Sequence, residues 1–306
     1  MHGGLRIKAN ALRYCLFIDS LQGYLLLILM ADRLRIAYYG EEGSYSEQAA
    51  IQHFSKSAIL QGFRFLPEIF EAVKNGTSYG IVPIENSTEG PVTQTYDLLL
   101  ESDLTIVGEE IVKIDHCLIA NQWIKIKDIK TVYSHPQALG QCRSYTEKHG
   151  FNPIPFYDTA GSVKMIKEKK LKDSAAIASS MAASVYKMKV LAKSIQSNKR
   201  NFTRFIVIAK KNKTTAWNKT SIAFGSKHRA GSLFQALNYF AKNGINLLYI
   251  ESRPIIGRPW EYNFYIDCKG SIKDKRLSAA IKELRKDAIF VKVLGSYKGA
   301  EKRGII

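Results

Sequence analysis

The segment Asn-Phe-Thr-Arg-Phe, residues 201–205, places a hydroxyl, a guanidinium and two aromatic rings within five residues. It holds no histidine, cysteine or carboxylate. A threonine can donate or accept a hydrogen bond, an arginine can pair with a carboxylate, and a phenylalanine can wall an apolar ring. Hydroxyls and amides also recur where a strand gives way to a helix: Ser44 and Ser46, then Asn86, Ser87 and Thr88, then Ser134 and Gln137, then Thr159. In parallel α/β sheets ligands bind beyond the carboxyl ends of the strands, near helix N-termini whose N–H groups favour anions. Each of these residues taken alone reads first as a helix cap. Four such loops in one chain point to a polar, anion-accepting cleft. His135, between Ser134 and Pro136 ahead of a helix, reads as structural before it reads as an acid or base. Glu85 is open to two readings, a second acid or a brace for its loop.

The chain of 306 residues has room for one large domain or two to three smaller ones, with 46% apolar and 24% charged residues. Cys15, Cys117, Cys142 and Cys268 form no C-x-x-C pair, and the six histidines show no H-x-x-x-H spacing. This argues against a zinc ribbon, a metal site and a disulfide framework, and suits a reducing, cytoplasmic setting. The net charge of +18 is unevenly spread: residues 30–110 carry 5 basic against 13 acidic side chains, residues 111–306 carry 37 against 13. The lysines fall on helix faces and turns, as in 165–173 and 273–287, without interleaved stacking aromatics. A solvated basic surface is therefore expected rather than a nucleic-acid partner. The apolar stretch at 15–30 is broken by Asp19 and Gln22 and is too short to span a membrane. Residues 1–32 are expected to be an N-terminal extension with Met30 as the real start, an organellar targeting segment being the alternative.

The elements that would position these residues alternate. Strands are expected at 34–40, 78–85, 129–134, 174–179 and 205–210, with helices after Ser44, at 91–100 opening on Pro91, at 136–148 opening on Pro136, and at 160–170. Ser44 and Glu47 have capping-box spacing. Alternating strands and helices imply mainly parallel sheets, in two lobes. A polar linker at 211–219 leads to a second unit of order βαββαβ, a ferredoxin-like α+β fold. Its helix sets Leu233, Leu237 and Phe240 on one side, and its third strand alternates Trp260, Tyr262, Phe264 and Ile266 with Glu261, Asn263, Tyr265 and Asp267. A small amphipathic sheet of this kind commonly pairs with a copy of itself.

Six segments stand in order: YYGEEGSYSEQAA at 38–50, GIVPIENSTEGPVTQTYDLL at 80–99, YSHPQALGQC at 133–142, YDTAGS at 157–162, NFTRF, and GINLLYIESRP at 244–254. Together they resemble the prephenate dehydratase family, over about residues 33–300. The resemblance implies a two-lobed catalytic domain like the periplasmic binding proteins, at 33–212, with lobe 1 at about 33–111 and 190–212 and lobe 2 at about 112–189. An ACT regulatory domain would follow at 218–300. The 29 residues ahead of Met30 cannot hold the chorismate mutase helices of some relatives, so a monofunctional protein is expected.

The implied reaction turns prephenate into phenylpyruvate, water and CO2 without a cofactor. The diene gains aromaticity as carboxylate and hydroxide leave together, so the main demand is a donor to the departing hydroxyl. The two substrate carboxylates need N–H groups, hydroxyls or an arginine. By resemblance Thr203 is that donor, Arg204 orients the loop or pairs with a carboxylate, and Phe205 walls the ring pocket. Ser44, Tyr45, Ser46, Asn86, Ser87, Ser134, Gln141, Asp158 and Thr159 match positions lining the cleft. Gly231, Ser232 and Leu233, with Glu251, Ser252, Arg253 and Pro254, match the L-phenylalanine site between the ACT domains of two subunits. A homodimer or homotetramer and feedback inhibition are implied. The chain departs from the pattern at Ser197 and Lys199, where relatives often show Asp and Pro, and at Ser232, where they show Ala. Arogenate dehydratase and a non-catalytic amino-acid sensor are the competing readings, the intact T-R-F favouring catalysis.

Overall fold

The computed structural model describes residues 34–55, 58–211, 217–255 and 257–300. The expectations for the N-terminal extension and its start residue lie outside these residues. The chain runs β1 (Arg35–Tyr39), α1 (Tyr45–Phe54), β2 (Ile59–Phe63), α2 (Leu66–Lys74), β3 (Tyr79–Asn86), β4 (Gly90–Pro91), α3 (Thr93–Glu101), β5 (Thr105–Lys113) and β6 (Cys117–Ala120). After a 3-10 turn at Ile126–Asp128 come β7 (Thr131–Ser134), α4 (Pro136–Gln141), α5 (Arg143–Lys148), β8 (Asn152–Pro155), α6 (Thr159–Glu168), β9 (Ser174–Ala178), α7 (Ser180–Val185), β10 (Lys189–Ala192) and β11 (Phe202–Ala209). The last unit is β12 (Lys219–Gly225), α8 (Ser232–Lys242), β13 (Leu247–Ile255), β14 (Arg258–Lys269), α9 (Lys275–Asp287) and β15 (Phe290–Tyr297).

Three sheets result. The first has order β2-β1-β3-β11-β5, with β4 beside β3. Its strands β1, β2 and β3 are parallel, and β11 returns antiparallel between β3 and β5. The second has order β10-β6-β9-β7-β8, and the third β13-β14-β12-β15. The chain thus leaves the first lobe after β5, builds the second, and comes back as β11. Because β10 pairs with β6, the return falls after Ala192 rather than at about 190.

Local chemistry accounts for the differences from the expected elements. Pro91 does not open a helix: Gly90 and Pro91 pair with Asn86 and Glu85, and the helix starts at Thr93. The single helix expected at 136–148 breaks at buried Cys142, two residues after Gly140, a weak helix former. The segment NPIP is a strand despite two prolines, which a sheet edge tolerates because one strand face needs no ladder donor. Ser44 accepts from the Glu47 N–H at 3.2 Å, but the Glu47 carboxylate reaches back to the Gly43 N–H.

The third sheet packs on both faces through β12, β15 and the second half of β14, while Leu248, Ile250, Trp260 and Tyr262 toward the β13 edge stay exposed. Ile222, Phe224, Ile266 and Cys268 pack under α8 and α9 with Phe240, Leu277, Ile281 and Leu284. The opposite face, expected to be polar, carries Ala223, Tyr265, Leu294 and Tyr297 into one core with Leu99, Leu104, Ile106 and Ile206 of the first lobe. Three further contacts seal this seam. Lys292 Nζ donates to the Leu99, Leu100 and Ser102 carbonyls closing α3, where the helix dipole favours a cation. Thr105 Oγ1 donates to the Leu294 carbonyl at 3.0 Å. At Gly295 an added Cβ would lie 2.1 Å from the Ile106 carbonyl oxygen, so only glycine fits there.

Candidate active site

Between the two lobes lies a cleft of about 670 Å³ including its open mouth. Lobe 1 lines it with Tyr39, Ser44, Tyr45, Ser46, Pro83, Asn86, Thr203 and Phe205; lobe 2 with His116, His135, Gln137, Gln141, Tyr157, Asp158 and Thr159. Helices α1, α4 and α6 all open on it through their N-caps Ser44, His135 and Asp158. Positive helix ends converging on one space favour an anionic ligand.

Strand pairing explains which side chains reach the cleft. Thr203 and Phe205 are two apart on β11 and share a face, whereas Arg204 points the other way. On β3 their partners are Asn86 and Pro83, three apart, which simple alternation would put on opposite faces. A β-bulge between Arg204 and Phe205 leaves Ile84 unpaired and turns both partners toward the cleft. Bulges commonly re-aim side chains beside functional sites.

The hydrogen bonds of the site have a fixed polarity. Asn86 Oδ1 accepts from the N–H groups of Thr88 at 3.0 Å and Glu89 at 3.1 Å. A backbone N–H can only donate, so the amide orientation of Asn86 is set. Its Nδ2 then donates to Thr203 Oγ1 at 2.9 Å and to Asn201 Oδ1 at 2.8 Å. Asn201 Nδ2 donates to Gln141 Oε1 at 2.8 Å, and His116 Nε2 lies 3.0 Å from the same oxygen. His116 therefore carries its proton on Nε2, leaving Nδ1 to face the Tyr45 hydroxyl at 3.2 Å. Thr203 thus receives a hydrogen bond and keeps its own proton free for the cleft.

Burial sets the charge states. It pushes His116 and His135 below the usual histidine range, so both favour the neutral ring. It pushes the Tyr45 hydroxyl well up and the Asp158 carboxyl up to about 6, the latter against a hydrogen bond from the Gly161 N–H and with help from the Glu41 charge. Among the described residues no group of three or more His, Cys, Asp or Glu is placed to hold a metal ion.

One end of the cleft is latched. Glu41 of lobe 1 accepts from Tyr157 Oη at 2.7 Å and Lys164 Nζ at 2.9 Å, both in lobe 2, and Arg64 stacks on the Tyr157 ring. Ser179 Oγ donates to the Gly43 carbonyl at 2.6 Å, and a Cβ on Gly43 would lie 2.5 Å from Ala182 Cα.

Three expected site residues stand elsewhere. Ser134 is fully buried and donates to the Ile177 carbonyl at 2.5 Å. Ser87 accepts from the Phe202 N–H at 2.9 Å and braces the approach to β11. Arg204 neither orients a cleft loop nor faces a ligand: its guanidinium pairs with Glu85, Glu109 and Asp267 on the far side of the sheet. Of the two readings of Glu85, its 3.0 Å contact with Arg204 corresponds to the brace. His135 caps α4 by accepting from the Gln137 N–H at 3.3 Å while it lines the cleft. The expected regulatory residues separate in one chain. Ser232 and Leu233 line a pocket with Trp260, Tyr262 and Phe264, and Gly231 at φ 80° starts the helix beside it. Arg253 instead pairs with Asp97 of α3 at 2.9 Å, and Glu251 accepts from the Tyr249 hydroxyl. His116, Tyr39 and Tyr157 were not signalled by the sequence. The only hint of His116 is its place next to Asp115 at a strand entry, because its partners lie 25 to 80 residues away.

The prephenate dehydratase family model matches residues 36–213 and the ACT domain model matches 220–286. A bifunctional chorismate mutase/prephenate dehydratase of Aquifex aeolicus is 41% identical over 89% of this chain and 75% of its own length. An arogenate dehydratase/prephenate dehydratase of Arabidopsis thaliana is 40% identical over 87% of this chain and 73% of its own. Among solved structures, prephenate dehydratase of Arthrobacter aurescens in complex with L-Phe superposes with a TM-score of 0.78 at 31% identity, covering 86% of this chain and 89% of that one. A chain described as GqqA, a quorum quenching acylase, superposes with a TM-score of 0.80 at 28% identity, covering 88% and 99%.

Proposed function

The chain belongs to the prephenate dehydratase family, with an ACT domain behind the catalytic domain, and we propose that it turns prephenate into phenylpyruvate, water and CO2 with Thr203 as donor to the departing hydroxyl. The observation that carries this is the fixed polarity at Thr203. Its oxygen accepts from Asn86, which leaves its proton available to a molecule in the cleft.

The electrons come from the substrate. The ring carboxylate leaves as CO2, its C–C pair enters the ring, and the 4-hydroxyl leaves with its own electron pair as aromaticity is gained. Negative charge grows on that oxygen in the transition state. A neutral threonine is a weak acid, so its contribution is a short, preorganised hydrogen bond in a site that excludes water, followed by proton delivery. The N-termini of α1, α4 and α6 suit the two carboxylates, and Phe205 with Pro83 walls the ring. L-Phenylalanine, the end product one transamination away, feeds back through the ACT domain, and a homodimer or homotetramer joined by ACT domains is expected. The Phe complex of the Arthrobacter enzyme supports the first of these. No helix among the described residues is long and apolar enough to cross a membrane, and a cytoplasmic location is the reading we favour. Arogenate dehydration is the second reading, favoured by the Arabidopsis relative.

Product formation from prephenate and from arogenate, each with and without L-phenylalanine, tests both readings. Thr203→Ala should keep the fold and lower kcat by about 10²–10⁴-fold. Asn86→Asp should do nearly as much, because a carboxylate there accepts the Thr203 proton that the substrate needs. A folded Thr203→Ala enzyme with near wild-type kcat would remove the assignment.

A further inference from the structure

Arg204 lies between the two cleft-facing residues of the T-R-F motif, yet its side chain leaves the active site entirely. It is 11% exposed and sits at the seam between the catalytic and ACT domains. Its Nε donates to Glu85 on β3 at 3.0 Å. Its Nη1 reaches Glu109 on β5 at 3.3 Å and Asp267 on β14 of the ACT sheet at 2.5 Å. The guanidinium carbon stands 5.0 Å from the ring of Tyr249 on β13. That strand also carries Glu251 to Pro254. Lys219, at the start of β12, completes the node by pairing with Glu109 at 2.6 Å and Asp267 at 3.2 Å.

The charges are all held. Burial disfavours the Asp267 anion, but Arg204 and Lys219 outweigh it and keep the carboxyl below its usual range. Burial likewise works against the Arg204 cation, and Asp267 and Glu109 outweigh it. Asp267 also accepts from Ser221 Oγ, which lies 2.7 Å from the Tyr297 hydroxyl, so it is fixed from within the ACT core. Nε and Nη1 are held from two domains, while Nη2 is buried without a hydrogen-bond partner among the described residues; a buried guanidinium gripped from both sides couples the two domains.

Position on the strand gives this node a consequence. Thr203 and Arg204 are consecutive residues of β11, and the ladder bulge falls immediately after Arg204. The extra residue of that bulge, Ile84, lies in β3, while β11 stays paired with β5 without a break from Phe202 to Val207. A movement of β13 and β14 shifts the Arg204 side chain. Such a shift would carry the adjacent Thr203 with it and alter its 2.9 Å contact with Asn86. We propose that Arg204 is a positioning residue through which the ACT domain sets the donor geometry of Thr203, both in the active enzyme and when L-phenylalanine is bound. This rests on the reading of Thr203 as the donor.

Two full-length variants test it, Asp267→Asn and Arg204→Lys, each assayed well below its own melting temperature beside the wild type. Both should lower kcat about fivefold or more while KM for prephenate stays within about twofold, the pattern of an interaction felt in the transition state. L-Phenylalanine should still bind, by titration calorimetry, but saturating effector should remove a smaller share of the remaining activity. Should Asp267→Asn not fold, Arg204→Lys carries the test, because it keeps the charge and gives up only the fork. A wild-type kcat together with a wild-type inhibition curve overturns the proposal. So does a fall in melting temperature with both unchanged, which marks Arg204 as a strut. An active wild type with unaffected variants removes this proposal alone; a wild type that turns over neither prephenate nor arogenate removes the functional reading and this proposal with it.

Discussion

Asp158 caps helix α6 with a carboxyl group in a cleft otherwise suited to anions. Burial raises it from the ordinary 3.8 to about 6. The folded protein therefore keeps a proton that the unfolded chain releases in that window. The contribution to stability is fully present below the lower value and is lost as pH rises through the upper one. Binding follows the same sign. Below the raised value the group is neutral and does not repel a dianion. KM for prephenate should fall about threefold to tenfold between roughly pH 7.5 and 5.5, as expected for one partly screened charge. Asp158→Asn should keep the cap and flatten that dependence in initial-rate measurements; an unchanged profile would point to His116 or His135 instead. At this scale the sequence pointed to Thr203, Asn86, Gln141 and Ser44, all of which line the cleft. It misled at Arg204, where strand alternation already separates neighbours onto opposite faces. It was silent at His116, whose role comes only from long-range partners.

Among the elements, β15 meets the first lobe more closely than any side chain allows. A Cβ at Gly295 would lie 2.1 Å from the Ile106 carbonyl oxygen and 2.9 Å from Ile106 Cβ. Both are parts of a strand in the first sheet, so relief requires the seam to open. Gly295→Ala should cost about 1–3 kcal/mol, the usual range for overpacking. Differential scanning fluorimetry would read this as a melting temperature lower by about 2–6 °C. An unchanged value would mean that the backbones stand farther apart in solution. The elements themselves were unevenly legible. The βαββαβ order could be read because each helix has an apolar stripe and each strand a period of two. β2 could not, because an edge strand with sequence ILQGF buries little. β8 hid behind its prolines, and the bulge at Ile84 has no signature in the sequence.

For the whole molecule, the division into catalytic and regulatory domains follows the chain but not the core. Tyr265, Leu294 and Tyr297 share one apolar cluster with Leu99, Ile106 and Ile206. Exposing such a surface costs about 25 cal/mol per Å² and invites association. A protein ended at residue 211 should aggregate or bind an apolar dye such as ANS, as read by size-exclusion chromatography and fluorescence. A monodisperse, dye-silent fragment with full activity would contradict the shared core. The linker expected at 211–219 lies largely outside the described residues, and its last residue, Lys219, is instead the buried start of β12; nor could the sequence show that the sheet beyond it shares a core with the first lobe. The apolar residues of the second face, such as Tyr265, alternate with equally apolar neighbours. For anyone seeking a catalyst deaf to its end product, the seam closes the simplest route. Deleting the sensor would strip the engine of part of its casing, and grafting a sensor from another enzyme would have to bring a matching contact face with it. On the proposed feedback by L-phenylalanine, deafness is better sought at the pocket around Ser232 and Leu233, where a side chain can change while the seam stays shut.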